Sequence, residues 1–180
     1  SEMCIRDSDN TKVIWICSPN NPTGNAFPLD TIEEIARRFD GITVVDEAYV
    51  DFSPLGSMVS RLAAYPRMIV MQTFSKAWAA AAMRLGIAFA SRDIISLFNN
   101  VKYPYNINIL TQREAIHLLE NAPKVKATAE RLVELRKPLA AELLRLNAVK
   151  AVYPSDANFL LVKVDDANSL YDYLKAEGVI

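Results

Sequence analysis

The chain has 180 residues, 51% of them hydrophobic and 23% charged, with a formal net charge of −1. That length allows one substantial core, or one domain and part of another, and the near-neutral balance offers no basic stripe for nucleic acid. No apolar run approaches the roughly 20 residues that span a bilayer and no signal-peptide pattern is visible, so no nucleic-acid or membrane partner is expected, and a cytoplasmic setting is.

The two cysteines, Cys4 and Cys17, form no C-x-x-C pattern, which fits a thiol-reducing compartment. The single histidine, His117, lies in the amphipathic run QREAIHLLE. A packed or half-exposed helix residue is the ordinary outcome there, and no metal site is expected.

In chain order, SEMCIRDS (1–8) has no periodicity leading into a strand and reads as non-native sequence. KVIWIC (12–17) reads as a buried strand, and SPNNPTGN as the turn after it. LDTIEEIARRF carries apolar residues at Ile32, Ile35, Ala36 and Phe39, one face of a helix. Asp30 with Glu33 matches a capping box at its start. ITVVD (42–46), MIVMQT (68–73) and LGIAFA (85–90) read as three more strands. Continuous apolar strands separated by helical patterns predict a parallel or mixed sheet covered on both faces.

Beyond residue 90, RDIISLFNNVK and NILTQREAIHLLEN read as helices flanking the turn YPYNIN. A long helical pattern over 122–146 contains Pro138, which is expected to kink or divide it. VKAVYP and ANFLLVKV then read as strands, and ANSLYDYLKAEG as a last helix. Residues 9–118 are thus expected to form part of a larger domain, and 119–180 a connecting helix with part of a smaller α+β one. Helix, Gly178 and a new apolar run at the end predict a chain that continues further.

Ligands in doubly wound sheets sit where strands end. Asn21 follows the first strand, Asp46 and Tyr49 the second, and Thr73, Ser75 and Lys76 the third, while Arg84 precedes the fourth. Each has an ordinary use alone: a turn former, a cap, a packed aromatic, a solvated charge, an ion pair. Their convergence in this order points to a ligand. An amine attacks an aldehyde only when unprotonated, and the apolar run after Lys76 can supply the desolvation this needs. Asp46 can pair with a pyridinium nitrogen, Asn21 and Tyr49 can donate to a ring oxygen, and Thr73, Ser75 and Arg84 can donate to a phosphate.

SPNNPTG, VVDEAY, TFSKAW and MRLG, in that order, resemble the fold-type I aminotransferases that use pyridoxal 5′-phosphate. KYPYNIN and SDANFLLV, which follow, are similar to the histidinol-phosphate aminotransferases among them, and the resemblance runs over about 12–180. It implies a three-layer α/β sandwich with a mostly parallel sheet and part of a small C-terminal domain. It makes Lys76 the amine that condenses with the cofactor and carries the proton between substrate Cα and cofactor C4′. Asp46 would face the pyridine nitrogen, Asn21 and Tyr49 the phenolate oxygen, and Thr73, Ser75 and Arg84 the phosphate. Asn158 matches a position near the substrate carboxylate, and Tyr105 and Asn106 would line the substrate side.

The resemblance implies amino transfer between L-histidinol phosphate and 2-oxoglutarate, in a homodimer. The alternatives to this reading are an aromatic aminotransferase or a phosphothreonine decarboxylase using the same cofactor and, in another class, a non-catalytic regulator keeping the fold. Two positions depart from the family: Ala79 stands where glycine is usual, and Thr73 where serine is common. The resemblance implies that family chains carry a long N-terminal portion and, further on, arginines that supply more phosphate and substrate contacts. The 180 residues alone are therefore expected to bind the cofactor weakly and not to transaminate.

Overall fold

The computed structural model describes residues 10–179. The stretch 1–8, read as non-native, lies outside the described residues, and Cys4 with it. The main sheet has the order β1 (Val13–Cys17), β2 (Ile42–Asp46), β3 (Met68–Thr73), β4 (Gly86–Ala90). The first three strands are parallel, with Ile16 opposite Val45 and Val45 opposite Val70. β4 runs antiparallel to β3, pairing Phe89 with Val70 and Gly86 with Thr73. Because β4 runs backwards, it begins at the edge where the other three strands end. Arg84, two residues before it, is carried to that edge.

Helix α1 (Leu29–Arg38) covers one face of the sheet. Ile32, 1% exposed, enters a core with Ile16, Val45, Met68 and Val70, and Ile35 and Ala36 pack against it. Full burial of a side chain such as Ile32 contributes about 1.5–3 kcal/mol. The capping-box expectation is corrected here. The carbonyl of Pro28 takes the N–H groups of Thr31 and Ile32, so the helix starts before Asp30 can cap it. Asp30 and Glu33 instead both bind the guanidinium of Arg61. Coverage of the opposite face is partial: Val44 and Ile69 are buried, whereas Trp15, their register partner on the β1 edge, is 59% exposed.

Two short 3₁₀ turns, Val50–Phe52 and Met58–Ala64, link β2 to β3. Helices α2 (Arg92–Val101), α3 (Ile109–Glu120) and α4 (Ala122–Leu143) follow β4. Of the kink or division expected at Pro138, the division does not occur: α4 runs as one helix through it. Pro138 and Glu134, four residues earlier, are both exposed, so water can meet the carbonyl left without a donor.

The chain ends with an antiparallel pair, β5 (Val149–Val152) and β6 (Val162–Val164), and helix α5 (Ala167–Ala176). The strand expected throughout ANFLLVKV forms only from Val162. Its first residues are used differently: Ala157 and Phe159 join Tyr49, Phe52 and Ala129 in a second core. That core binds α4 and the 155–159 segment to the loop after β2.

Candidate active site

One cavity of about 500 Å³ opens at the C-terminal ends of β2 and β3, a volume ordinary for small-molecule sites, and Asp46, Thr73, Ser75, Lys76 and Arg84 all line it. Asp46 ends β2, and its Oδ1 accepts the Ala48 N–H at 3.0 Å, which fixes the carboxylate against the turn that follows. Thr73 ends β3. Its hydroxyl accepts the Ser75 N–H at 3.0 Å, turning the chain sharply so that Ser75 and Lys76 come round to the cavity. Arg84 enters from the other side, in the left-handed region at φ 52, with Nη1 donating to the Ala81 carbonyl at 3.0 Å.

Asn21 and Tyr49 are not among the residues lining this cavity; they lie beside it, joined to it through Lys76. Asn21 Nδ2 donates to Tyr49 Oη at 3.2 Å, and Lys76 Nζ lies 5.1 Å from the centre of the Tyr49 ring. Since the tyrosine oxygen is the acceptor, its own O–H proton stays free to donate. Tyr49 is 8% exposed, held edge-on against Phe159 at 5.1 Å.

Desolvation of Lys76 by its apolar neighbours is not what the structure shows. Trp78 turns back onto Phe74, with ring centres 5.1 Å apart, and Lys76 is exposed. Ala79, where the family pattern has glycine, has φ 53, so this backbone does take the conformation that favours glycine. Its N–H closes the turn on the Lys76 carbonyl at 2.9 Å.

Asn158 is exposed, between the buried Ala157 and the packed Phe159. Tyr105 and Asn106 are not drawn into this cavity. They sit in the turn between α2 and α3, Tyr105 97% exposed at φ 60.

Several residues around the site escaped the sequence reading. Cys17 pairs in register with Asp46, and burial followed by the neighbouring carboxylate raises its thiol pKa. Glu47 is 2% exposed and accepts from Met58 N–H at 2.7 Å, from Gln72 Nε2 at 2.9 Å and from the Ser57 hydroxyl. Burial raises its pKa, and the three donors oppose the rise. Gln72 also lines the cavity, so Glu47 braces its wall from behind. The available signal was a charged residue straight after an apolar strand, in VVDEAY. Nothing local marked Asp156, whose partners are 130 residues away.

Over residues 3–180 the sequence matches the family described as Aminotransferase class I and II. A histidinol-phosphate aminotransferase of Bacteroides thetaiotaomicron is 48% identical over 172 residues, covering 96% of this chain and 50% of the relative. One from Flavobacterium psychrophilum is 43% identical over 180 residues, covering 100% of this chain and 52% of the relative. Among solved structures, the histidinol-phosphate aminotransferase of Sinorhizobium meliloti in complex with pyridoxal-5′-phosphate has a TM-score of 0.86 at 22% identity. That match covers 95% of this chain and 48% of the other, and at such identity it bears on the fold. The chain spans about half the length of the curated relatives it matches. It belongs to the aminotransferase class I and II family.

Proposed function

We propose that this chain forms the cofactor-gripping part of a pyridoxal 5′-phosphate-dependent transaminase, one that moves an amino group between L-histidinol phosphate and 2-oxoglutarate. The observation that carries the reading is the single cavity lined by a carboxylate, an amine, two hydroxyls and a guanidinium. The names of relatives 43–48% identical support the substrate. No described helix is long and apolar enough to cross a membrane. With this reading go a cytoplasmic homodimer and a division into a large domain over 9–118 and a smaller unit over 119–180.

The residues present fit the cofactor. Asp46 would hold the pyridine nitrogen protonated, an anion facing a cation at the end of β2. Thr73, Ser75 and Arg84 would take the phosphate, with two hydroxyls and a fork of N–H donors. Asn21, through its second amide N–H, and Tyr49, through its free O–H proton, would both donate to the phenolate oxygen. When bound, the cofactor supplies an electron sink for the bonds at the substrate's Cα. Lys76 Nζ would hold the cofactor at its aldehyde carbon and would carry the proton between substrate Cα and C4′. Its exposure leaves the amine room to swing between those roles. Asn158 would take the substrate carboxylate, and Tyr105 and Asn106 would approach the substrate from the exposed turn.

The test is reduction with borohydride in the presence of pyridoxal 5′-phosphate, followed by peptide mapping. The label is expected on Lys76 well above every other lysine, and lost in Lys76→Ala. Uniform labelling of the lysines would refute the reading.

A further inference from the structure

We propose that Asp156 is a positioning residue for this site, clamping the loop that carries Asn21 onto the segment that carries Asn158. The Ala26 N–H donates to Asp156 Oδ2 at 2.9 Å, and the Asp156 N–H donates to the Gly24 carbonyl at 2.7 Å. These two bonds run in opposite directions between stretches 130 residues apart. Together they fix both the distance and the angle of approach.

The contact is also close-fitting. Gly24 has φ +79, and a Cβ there would lie 2.5 Å from Ser155 Oγ and 3.3 Å from Ser155 Cα. Only a residue without a side chain lets the two backbones meet at this distance.

The clamped loop is closed by its own backbone bonds. Asn20 N–H donates to the Asn25 carbonyl at 2.9 Å and Gly24 N–H to the Asn20 carbonyl at 2.7 Å, closing the backbone around Asn21. A second tether reaches Asn21 from the same segment: Phe159 packs on Tyr49, which accepts from Asn21. Arg136 on α4 anchors the segment by donating to the Ala157 carbonyl. Asn21 is therefore held at both ends by residues 155–159. Neither Asp156 nor Asn21 is among the residues lining the cavity, and Asp156 acts on the site through Asn21 and the Tyr49 that Asn21 binds, whose ring centre lies 5.1 Å from Lys76 Nζ. This inference rests on the proposed role of Asn21 toward the cofactor's ring oxygen.

The test compares Asp156→Ala with Asp156→Asn, whose side-chain carbonyl can still accept the Ala26 N–H. Amide hydrogen exchange at Ala26 and at residue 156, the two amides that the clamp holds, reads the clamp without cofactor. Titration with pyridoxal 5′-phosphate, followed by its absorbance, reads the consequence. Losing one charge-assisted bond predicts exchange about tenfold or more faster at Ala26 in Asp156→Ala. Cofactor binding weakens severalfold, and Asp156→Asn restores most of both. Should Asp156→Ala fail to fold, Asp156→Glu, one methylene too long for the same reach, is expected to raise exchange at Ala26 severalfold.

Unchanged exchange at Ala26 in a folded variant overturns the clamp. Faster exchange with unchanged cofactor affinity overturns its role in positioning. A wild-type protein that takes no label on Lys76 refutes the proposed function and the positioning role with it, while the exchange at Ala26 still decides whether the clamp exists.

Discussion

Replacing Ala79 by glycine should stabilise the protein, against the usual sense of such a change. Ala79 sits at φ 53, its N–H closing the turn begun by the Lys76 carbonyl. A left-handed conformation costs an L-residue with a Cβ about 1–2 kcal/mol. Glycine removes that cost but adds about 0.4–1 kcal/mol of unfolded-chain entropy to be lost on folding. Ala79 is exposed, so deleting its methyl opens no buried cavity. The net gain is about 0.5–1 kcal/mol, or roughly 1–4 °C in Tm for a chain of this size. The neighbour provides the control: Ala80 has φ −113, where glycine brings only the entropy cost. Urea unfolding followed by circular dichroism should move the midpoint up for Ala79→Gly and down for Ala80→Gly. Equal destabilisation by both would refute the strain at Ala79.

Two further outcomes follow from the site. Arg84→Ala should weaken binding of pyridoxal 5′-phosphate by roughly 10- to 150-fold, one lost charge-assisted contact of about 1.5–3 kcal/mol, with little change in pyridoxal lacking the phosphate; equal loss for both ligands would contradict a phosphate contact. Glu47 has a folded pKa raised above 4.5 by burial, so the native state binds its proton more tightly than the unfolded chain. The stability this contributes is full below 4.5 and is lost as pH rises through the folded value. Relative to Glu47→Gln, the wild type should therefore gain stability on going from about pH 7 towards 4.5; a relative gain in the other direction would show that the buried carboxylate is held as its anion.

The sheet was legible because its strands are mostly apolar runs, and β2 and β3 each end in a polar residue that does not follow them into the core. Asp46 and Thr73 announce strand ends for that reason, and strand ends on one edge of a parallel sheet must converge. Arg84 reached the same edge only because β4 runs antiparallel, a direction that LGIAFA does not encode locally.

What stayed hidden depends on contacts between distant stretches. ANFLL has the composition of a strand, yet its first residues pack on Tyr49 and leave β6 to begin at Val162. Asp30 looked like a cap until Arg61, 31 residues later, supplied a cation. The desolvation expected for Lys76 assumed that apolar neighbours in sequence are neighbours in space. The Thr73–Ser75 turn instead sends Phe74 and Trp78 away from the amine and onto each other.

The central claim is that Lys76 is the residue that takes the cofactor. The direct measurement is the fraction of borohydride-fixed phosphopyridoxyl label at each lysine of the folded protein, with free phosphate as competitor. The account predicts label concentrated on Lys76, diminished by phosphate and reduced to background in Lys76→Ala. Label spread evenly over the lysines, indifferent to phosphate, would contradict it.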